Sequence, residues 1–446
     1  MADKSVTSQP SRRADRGTRP ERAAASSSAR VSRMAAGLAG SEILKIAAEI
    51  RALVSAGKKV CNLTVGDFDS RQFPIPDFLR DAITQAIQAG ETNYPPSDGV
   101  LALRQSVQRF LKGRLALDYP IEGILVAGGA RPAIYGTYRA LVDPGDVVVY
   151  PTPSWNNNHY CHLVGAVERA VPCSPQDSFL PTRARMAEAV KGARLLALNS
   201  PLNPSGTAFT AAVLGDLCDL VLEENRRRGT GERPLYMMYD QVYWMLTFGD
   251  VNHVTPVALR PEMRPYTVFV DGISKAFCAT GLRVGWVAGP SDVIAAMSNL
   301  LGHVGAWAPR PEQVATAKLL DRVDLIRAYH DEQRRAMQAR LDALYAGMGA
   351  LKRDGFAVDA LRPMGAIYLT ARFALQGQRT KEGELLGTNE EIRRYLLSAA
   401  GCAAVPFQAF GVREDDGWFR LSIGAVSLAD IEGMFPRLRA ALSALS

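Results

Sequence analysis

The sequence predicts an α/β fold: a large domain with a mostly parallel sheet covered by helices on both faces, and a smaller α+β domain. Short apolar runs alternate with segments of helical period between residues 124 and 270. Strands that alternate with helices are typical of parallel sheets, because the crossover helices pack on the two faces. After about residue 312 the alternation stops, and a long helical pattern with a few short strands indicates the second domain.

The elements are predicted in the following order. An amphipathic helix runs from Ser41 to about Gly57, and a short strand follows at 60–65. Strands are expected at 124–127, 147–150, 195–198, 235–239 and 267–270, with helices at 131–141 and 211–227. The second domain is expected to contain one long helix at 311–348, either straight or bent, strands at 366–369 and 419–423, and helices at 388–399 and 428–443.

The chain of 446 residues is long enough for two domains. Residues 1–33, rich in Ser, Ala and Arg, are expected to form a disordered basic tail. An organelle transit peptide is the alternative, and the three acidic residues of this segment disfavour it. The expected boundaries are 34–92 for an N-terminal arm with the first part of the small domain, 93–325 for the large domain and 326–446 for the rest of the small domain.

The composition excludes several classes of protein. Much of the net charge of +7 lies in the tail, so it is weak evidence for a nucleic-acid partner. The six cysteines form no C-x-x-C pair, which predicts free thiols and a cytoplasmic location. The five histidines show no H-x-x-x-H spacing, and no run of about 18 apolar residues occurs, so neither a metal site nor a membrane span is predicted.

One lysine carries the strongest chemical signal. The run Val268–Val270 predicts a buried strand, and Gly-Ile-Ser-Lys places Ser274 and Lys275 directly after it. Arg283 follows eight residues later, in Gly-Leu-Arg-Val-Gly. A lysine that forms a Schiff base beside a phosphate-binding arginine suits pyridoxal 5'-phosphate (PLP), which carries both an aldehyde and a phosphate. Taken alone, a lysine after a strand is usually a solvated surface group.

Other polar or aromatic residues also follow predicted strands, at the edge where open α/β sheets bind ligands. Gly129-Ala130-Arg131 opens a helix and suits a phosphate, although a tight turn is the simpler interpretation. Trp155 could stack on a flat ring, or belong to the core. Asn203 lies in a proline-rich turn and could donate to a phenolate oxygen.

Two charged residues lie in apolar strands and need partners. Asp240 ends the strand 235–239, where a protonated pyridine nitrogen would pair with it, and Tyr243 could bond the same phenolate oxygen as Asn203. Arg420 lies in Trp-Phe-Arg-Leu-Ser, where either a substrate carboxylate or a structural salt bridge would supply an anion.

From about residue 31 to the C-terminus, these motifs resemble the class I aminotransferases of the aspartate aminotransferase fold type. The resemblance implies PLP as the cofactor, with a catalytic role for Lys275, Asp240 and Tyr243. It implies cofactor binding by Gly129, Ala130, Arg131, Trp155, Asn203, Ser274 and Arg283, and substrate binding by Gly66, Trp155, Asn203 and Arg420. It also implies a homodimer in which Tyr94 reaches the phosphate bound by the neighbouring subunit.

One position departs from the family pattern. Gly272 stands where the family usually has a phosphate-binding serine, and we expect Arg131 or the backbone to compensate.

The function that this resemblance implies is amino transfer from an amino acid to a 2-oxo acid by a ping-pong mechanism. Aspartate or glutamate with 2-oxoglutarate is favoured, while aromatic and branched donors stay open. The alternatives are a PLP-dependent lyase or synthase on the same scaffold and a PLP-domain sensor without enzymatic activity. The cation for a side-chain carboxylate cannot be assigned by motif, and Asn156, Asn157, Asn158 and His159 are guessed to line the side-chain pocket from their adjacency to Trp155.

Overall fold

The computed structural model describes residues 30–38 and 42–446, with backbone alone for residues 42–45. The chain divides into two compact units, 1–39 and 40–446. In the first, the described residues contain the short helix α1 (Arg33–Ala36), whose first turn is capped by the Ser32 side chain. Most of the expected tail, residues 1–29, lies outside the described residues.

The second unit contains the remaining elements. Its helices are α2 (Glu42–Ser55), α3 (Asp77–Gln88), α4 (Leu101–Leu115), α5 (Ala130–Leu141), α6 (Asn157–Val164), α7 (Arg183–Ala189), α8 (Ala211–Arg228), α9 (Pro256–Leu259), α10 (Ile273–Ala276), α11 (Ser291–His303), α12 (Arg310–Leu320), α13 (Val323–Arg353), α14 (Asn389–Ala400) and α15 (Leu428–Leu442). Its strands are β1 (Cys61–Asn62), β2 (Ile124–Ala127), β3 (Val147–Thr152), β4 (Val167–Pro172), β5 (Leu195–Asn199), β6 (Tyr236–Asp240), β7 (Thr267–Gly272), β8 (Gly285–Ala288), β9 (Val358–Ala360), β10 (Tyr368–Phe373), β11 (Cys402–Ala403), β12 (Val405–Pro406) and β13 (Trp418–Ser422).

The large sheet confirms the predicted α/β class. It has seven strands in the order β2-β8-β7-β6-β5-β3-β4, and β8 alone runs antiparallel to its neighbours. Separate apolar cores lie against its two faces. The register pairs Asn199 with Asp240 and Asp240 with Val270, so the carboxyl ends of β5, β6 and β7 lie side by side. Residues that follow these strands are therefore brought to one edge of the sheet.

A second, antiparallel sheet has the order β12-β13-β10-β9 and packs with α13, α14 and α15 around its own core. The N-terminal segment joins this region through β1, which pairs in parallel with β11 and sets Cys61 opposite Cys402. This pairing agrees with an N-terminal contribution to the small domain, while the domain boundaries themselves stay a prediction.

The prediction of one long helix at 311–348 is wrong, because α12 and α13 are separate helices. The chain leaves α12 at Asp321, whose carboxylate accepts hydrogen bonds from Ser106 Oγ at 2.9 Å and Arg109 Nη2 at 2.8 Å. These bonds fix the helix junction against α4. None of the helices described for this chain is long and apolar enough to cross a membrane.

Candidate active site

Lys275 lies in the single helical turn α10, directly after β7. Its Nζ donates a hydrogen bond of 2.6 Å to the carbonyl oxygen of Gly66. The rings of Phe68 and Tyr243 lie 5.7 Å and 5.8 Å from the same nitrogen. The lysine is therefore held inside the site, and the alternative of a solvated surface group has no support.

The surroundings of Lys275 favour its neutral amine. Burial lowers the pKa of the ammonium to about 8; Asp67 opposes this shift, and the positive charges of Arg420 and Arg131 add to it. A neutral amine is the form that attacks a carbonyl carbon or accepts a proton. With a pKa of about 8, Lys275 has a larger neutral fraction near neutral pH than an exposed lysine.

Asp240 is a buried carboxylate at the end of β6, with 8% of its surface exposed. Its Oδ1 accepts a hydrogen bond of 3.2 Å from Val242 N, and none of the described cations lies within ion-pair distance. Burial raises its pKa to about 7, against the opposing effects of the Val242 bond and the Lys275 charge. A positively charged N–H donor would stabilise the ionised carboxylate here.

Asn203 and Tyr243 present hydrogen-bonding groups beside Lys275 and Asp240. The Asn203 side-chain oxygen accepts from Arg420 Nη1 at 3.1 Å, which leaves the amide nitrogen as a donor. Tyr243 is buried, and its hydroxyl lies 2.7 Å from the hydroxyl of Tyr368. Burial first, and the neighbouring Tyr368 next, raise the pKa of Tyr243, so this phenol stays protonated.

An anion cradle forms where β2 turns into α5. Gly129 precedes the helix with φ +96°, and a Cβ built on it would collide with the guanidinium of Arg283. Arg283 in turn donates to the carbonyl oxygens of Thr280 at 2.6 Å and Gly128 at 3.1 Å. The absence of a side chain thus lets an arginine approach the N-terminus of α5, and both attract a phosphate.

Arg131 and Trp155 lie together at the same edge. The Arg131 guanidinium carbon is 5.2 Å from the centre of the Trp155 ring. Trp155 is half-buried and lines a cavity with Asn157, Asn203 and Asp240. Of the four residues guessed from adjacency, Asn157 lines this cavity; its side chain is fixed by Tyr138 and Ser154.

Arg420, on β13, has 1% of its surface exposed. Its Nη1 and Nη2 donate to Asn203 and to the carbonyl oxygen of Thr64, the latter at 2.7 Å, whereas its buried Nε has no hydrogen-bond partner among the described residues. Its guanidinium carbon lies 4.6 Å from the ring of Tyr368 and 4.9 Å from that of Phe410. No described acid pairs with Arg420, so the salt-bridge alternative has no support, and a carboxylate ligand would supply the missing anion.

Two glycines adjoin these residues. A Cβ on Gly66 would lie 3.1 Å from Tyr368 Oη and 3.7 Å from Arg420 Nη1, so the glycine keeps space open before the arginine. A Cβ on Gly272 would lie 2.7 Å from the carbonyl oxygen of Val284 and 2.8 Å from Gly285 Cα. A serine side chain therefore has no room at Gly272 in this sheet. Ser274, also predicted for the cofactor, is buried on α10.

Among the described residues, Tyr94 forms no hydrogen bond or ring contact with the other predicted site residues. It is 83% exposed and packs edge-on against Trp307, with ring centres 5.5 Å apart. Tyr368, by contrast, belongs to the site although sequence reasoning gave it no role. The sequence Ile-Tyr-Leu is typical of an ordinary core strand, so it does not indicate a site residue.

The residues that converge here fit PLP. The unpaired carboxylate of Asp240 suits the ring nitrogen, the Asn203 amide and Tyr243 hydroxyl suit the phenolate oxygen, and Lys275 suits the aldehyde. The cradle formed by Gly129 and Arg283 suits the phosphate.

Comparison with known proteins agrees with this geometry. The family model "Aminotransferase class I and II" matches residues 58–438. The aspartate aminotransferase of Rhizobium meliloti (strain 1021) is 31% identical over 409 residues, which cover 91% of this chain and 94% of that protein. A crystal structure of the aspartate aminotransferase from Rhizobium meliloti superposes with a TM-score of 0.84 at 30% identity, covering 93% of this chain and 99% of that one.

An aromatic aminotransferase from Pyrococcus horikoshii OT3 superposes with a TM-score of 0.77 at 26% identity, covering 88% of this chain and 98% of that one. Relatives with different donors thus share the fold and most of the length of this chain. The chain belongs to the class I and II aminotransferases, a family for which PLP is the implied cofactor.

Proposed function

We propose that the protein transfers an amino group from aspartate or glutamate to a 2-oxo acid such as 2-oxoglutarate, with PLP as cofactor and a ping-pong mechanism. The observation that carries this proposal is that Lys275 and Arg420 both lie next to Gly66. Arg420 is fully buried there and forms no ion pair with a described acid. A reactive amine then lies beside an arginine that can bind a carboxylate, which is the arrangement that an α-amino acid requires.

Each residue has a separate task in this scheme. When bound, PLP supplies an aldehyde that condenses with amines and a ring that accepts electron density. Arg420 holds the α-carboxylate of the substrate and orients its α-carbon. Lys275 holds the cofactor between turnovers; once its amine is free, it accepts a proton from the α-carbon and later returns it as an acid. The Asp240 carboxylate keeps a proton on the ring nitrogen.

Positive charge supports an acidic donor. Arg131, Arg283 and Arg420 face the site, and none of them forms an ion pair with a described acid. Arg283 in its cradle suits the phosphate, and Arg420 suits the α-carboxylate. Arg131 either adds to the phosphate site or meets the side-chain carboxylate of the substrate, a cation that no sequence motif identified. The aspartate aminotransferases among the relatives favour this donor class.

Two further features belong to the proposal. The exposed ring of Tyr94 suits a contact with a second copy of the chain, so that a homodimer shares its two active sites. A cytoplasmic location agrees with six free, buried cysteines, which a reducing compartment preserves.

The test is the absorption spectrum of the purified protein with PLP, recorded as single amino acids are added without any 2-oxo acid. Conversion of the visible band by aspartate or glutamate supports the proposal and identifies the donor. Conversion only by an aromatic or branched amino acid retains the transfer chemistry and overturns the acidic donor.

Two controls complete the experiment. Lys275→Ala should lose the visible band, and its turnover should fall at least about a hundredfold. The change removes both the attachment point of PLP and the residue that carries the proton. Undiminished activity in that variant contradicts the scheme. Release of ammonia and pyruvate without an acceptor indicates the lyase alternative, and a band that no donor alters indicates the sensor.

A further inference from the structure

Tyr368 contacts several parts of the site at once. It is the first residue of β10, is 1% exposed, and lies opposite Ser422, two residues beyond Arg420 on β13. Its hydroxyl oxygen lies 2.7 Å from that of Tyr243, and its ring lies 4.6 Å from the Arg420 guanidinium carbon. A residue of the small sheet thus joins the phenol expected at the cofactor oxygen to the arginine expected at the substrate.

The hydroxyl pair has a limited supply of protons. A phenol donates one hydrogen bond and accepts up to two. If Tyr243 donates its hydrogen bond to the phenolate oxygen of the cofactor, Tyr368 has to be the donor in the hydrogen bond between the two phenols. If Tyr243 donates to Tyr368 instead, it has no proton left for the cofactor. The direction of one hydrogen bond therefore decides whether Tyr243 can do its work.

We propose that Tyr368 is a positioning residue for amino transfer: its hydroxyl donates to Tyr243 and thereby directs the Tyr243 proton to the cofactor, while its ring supports the Arg420 guanidinium. This inference rests on the proposed function. A donor that itself accepts a hydrogen bond is strengthened by it, particularly in a buried site. Contact with the Tyr368 ring restricts the position of the Arg420 guanidinium.

The neighbouring charges favour this direction. Burial raises the pKa of Tyr368, but the Arg420 charge opposes that shift most strongly. Burial raises the pKa of Tyr243 well above its usual range, Tyr368 adds to this shift, and the Arg420 charge opposes it here as well. The phenol that carries the cation on its ring is thus the better proton donor of the two.

The test is a pH titration of the visible band of the PLP-loaded protein. The Tyr368→Phe variant keeps the ring and loses the hydroxyl. We expect its midpoint to rise by about half a pH unit to one pH unit, the size that one net hydrogen bond produces. The midpoint rises because a weaker donor leaves more negative charge on the phenolate oxygen, beside the nitrogen that Lys275 contributes, and that nitrogen then holds its proton longer.

Three further variants separate positioning from a general loss of structure. Tyr239→Phe is the matched control, because the buried Tyr239 hydroxyl donates a hydrogen bond of 2.9 Å to the carbonyl oxygen of Val254. This change should leave the midpoint unchanged. Tyr243→Phe should give a larger rise, to which Tyr368→Phe adds nothing in the double variant. Tyr368→Leu, which also loses the ring, should bind a dicarboxylate without an amino group about fivefold more weakly than Tyr368→Phe.

The outcomes are distinct. If Tyr368→Phe has a normal visible band and the same midpoint as the wild type, the inference fails and the proposed function stands. The same holds if the shifts of the two single variants add in the double variant. A wild-type protein that gives no visible band with PLP overturns the proposed function and the inference together.

Discussion

Arg420 Nη1 donates a hydrogen bond of 3.1 Å to the side-chain oxygen of Asn203. The contact joins β13 of the four-stranded sheet to the loop after β5 of the seven-stranded sheet. Because the oxygen of the Asn203 amide is held by the arginine, the direction of its amide nitrogen is also fixed. The residue proposed to bind the substrate carboxylate therefore orients a residue proposed to bind the cofactor.

The amine of Lys275 should titrate near pH 8 in the cofactor-free protein. Acetylation of Lys275, followed by mass spectrometry across a pH series, measures this midpoint. Arg131→Gln should raise it, because removal of a nearby positive charge favours the ammonium form. Arg394→Gln, an exposed change on α14, should not. A Lys275 midpoint above pH 10 would contradict the burial seen in the structure.

Asp240 should make the cofactor-free protein less stable as the pH rises. Its folded pKa of about 7 exceeds the unfolded value, so between about pH 4 and pH 7 the unfolded chain releases this proton first and is favoured. Across that window the free energy of unfolding of the wild type should fall by at most about 4 kcal/mol, and Asp240→Asn should remove this fall. Denaturant unfolding of both proteins at pH 4 and pH 8 measures the difference, and parallel pH profiles would refute it. Bound PLP should also suppress the loss.

Gly66→Ala should weaken substrate binding, since its methyl group would lie 3.1 Å from Tyr368 Oη and 3.7 Å from Arg420 Nη1. We expect KM for the amino donor to rise about tenfold, the effect of one methyl group in a fitted site. Gly113→Ala, whose Cβ meets nothing within 4 Å, is the control. Equal KM values in the two variants would show that the carboxylate does not bind at this position.

Gly272→Ser should destabilise the protein and impair PLP binding. The added Cβ would lie 2.7 Å from the carbonyl oxygen of Val284, so β8 would have to move, at a cost of about 1–3 kcal/mol. Gly281→Ser, with nothing within 4 Å of its Cβ, should behave like the wild type. Thermal unfolding and PLP titration measure both effects. Tighter PLP binding by Gly272→Ser would instead show that this chain lacks a phosphate contact that a serine supplies.

Much of the site was predictable because the order of strands and their ends follow from local patterns. Asp240 ends an apolar strand, and Lys275 and Asn203 follow such strands within four residues; parallel strands bring residues at these places to one edge. Their mutual contacts were not predictable, because they depend on the packing of the two sheets. Tyr368 shows this limit: its hydroxyl meets Tyr243 across 125 positions of sequence, inside a strand that reads as core.

The missed features have two causes, one local and one distant in the sequence. The strand β4 lies at the edge of the sheet and contains Glu168, which is exposed, and Arg169, which is half-buried. These charged residues interrupt the apolar run by which a strand is predicted. The junction at Asp321 contains neither glycine nor proline, so the helical pattern continues through it. Its stop depends on hydrogen bonds from α4, more than 200 positions earlier.

The placement of Arg420 and Tyr368 on the antiparallel sheet has a consequence for engineering. Asp240 ends a strand of the seven-stranded sheet, and Lys275 and the phosphate cradle follow strands of that sheet, whereas Arg420 lies on the four-stranded sheet. Every α-amino acid carries the carboxylate that this arginine is proposed to bind, so exchange of the segment from β10 to β13 with that of a relative should leave the preferred donor unchanged. The exchange should instead alter turnover, because it replaces the residues that orient Asn203 and Tyr243.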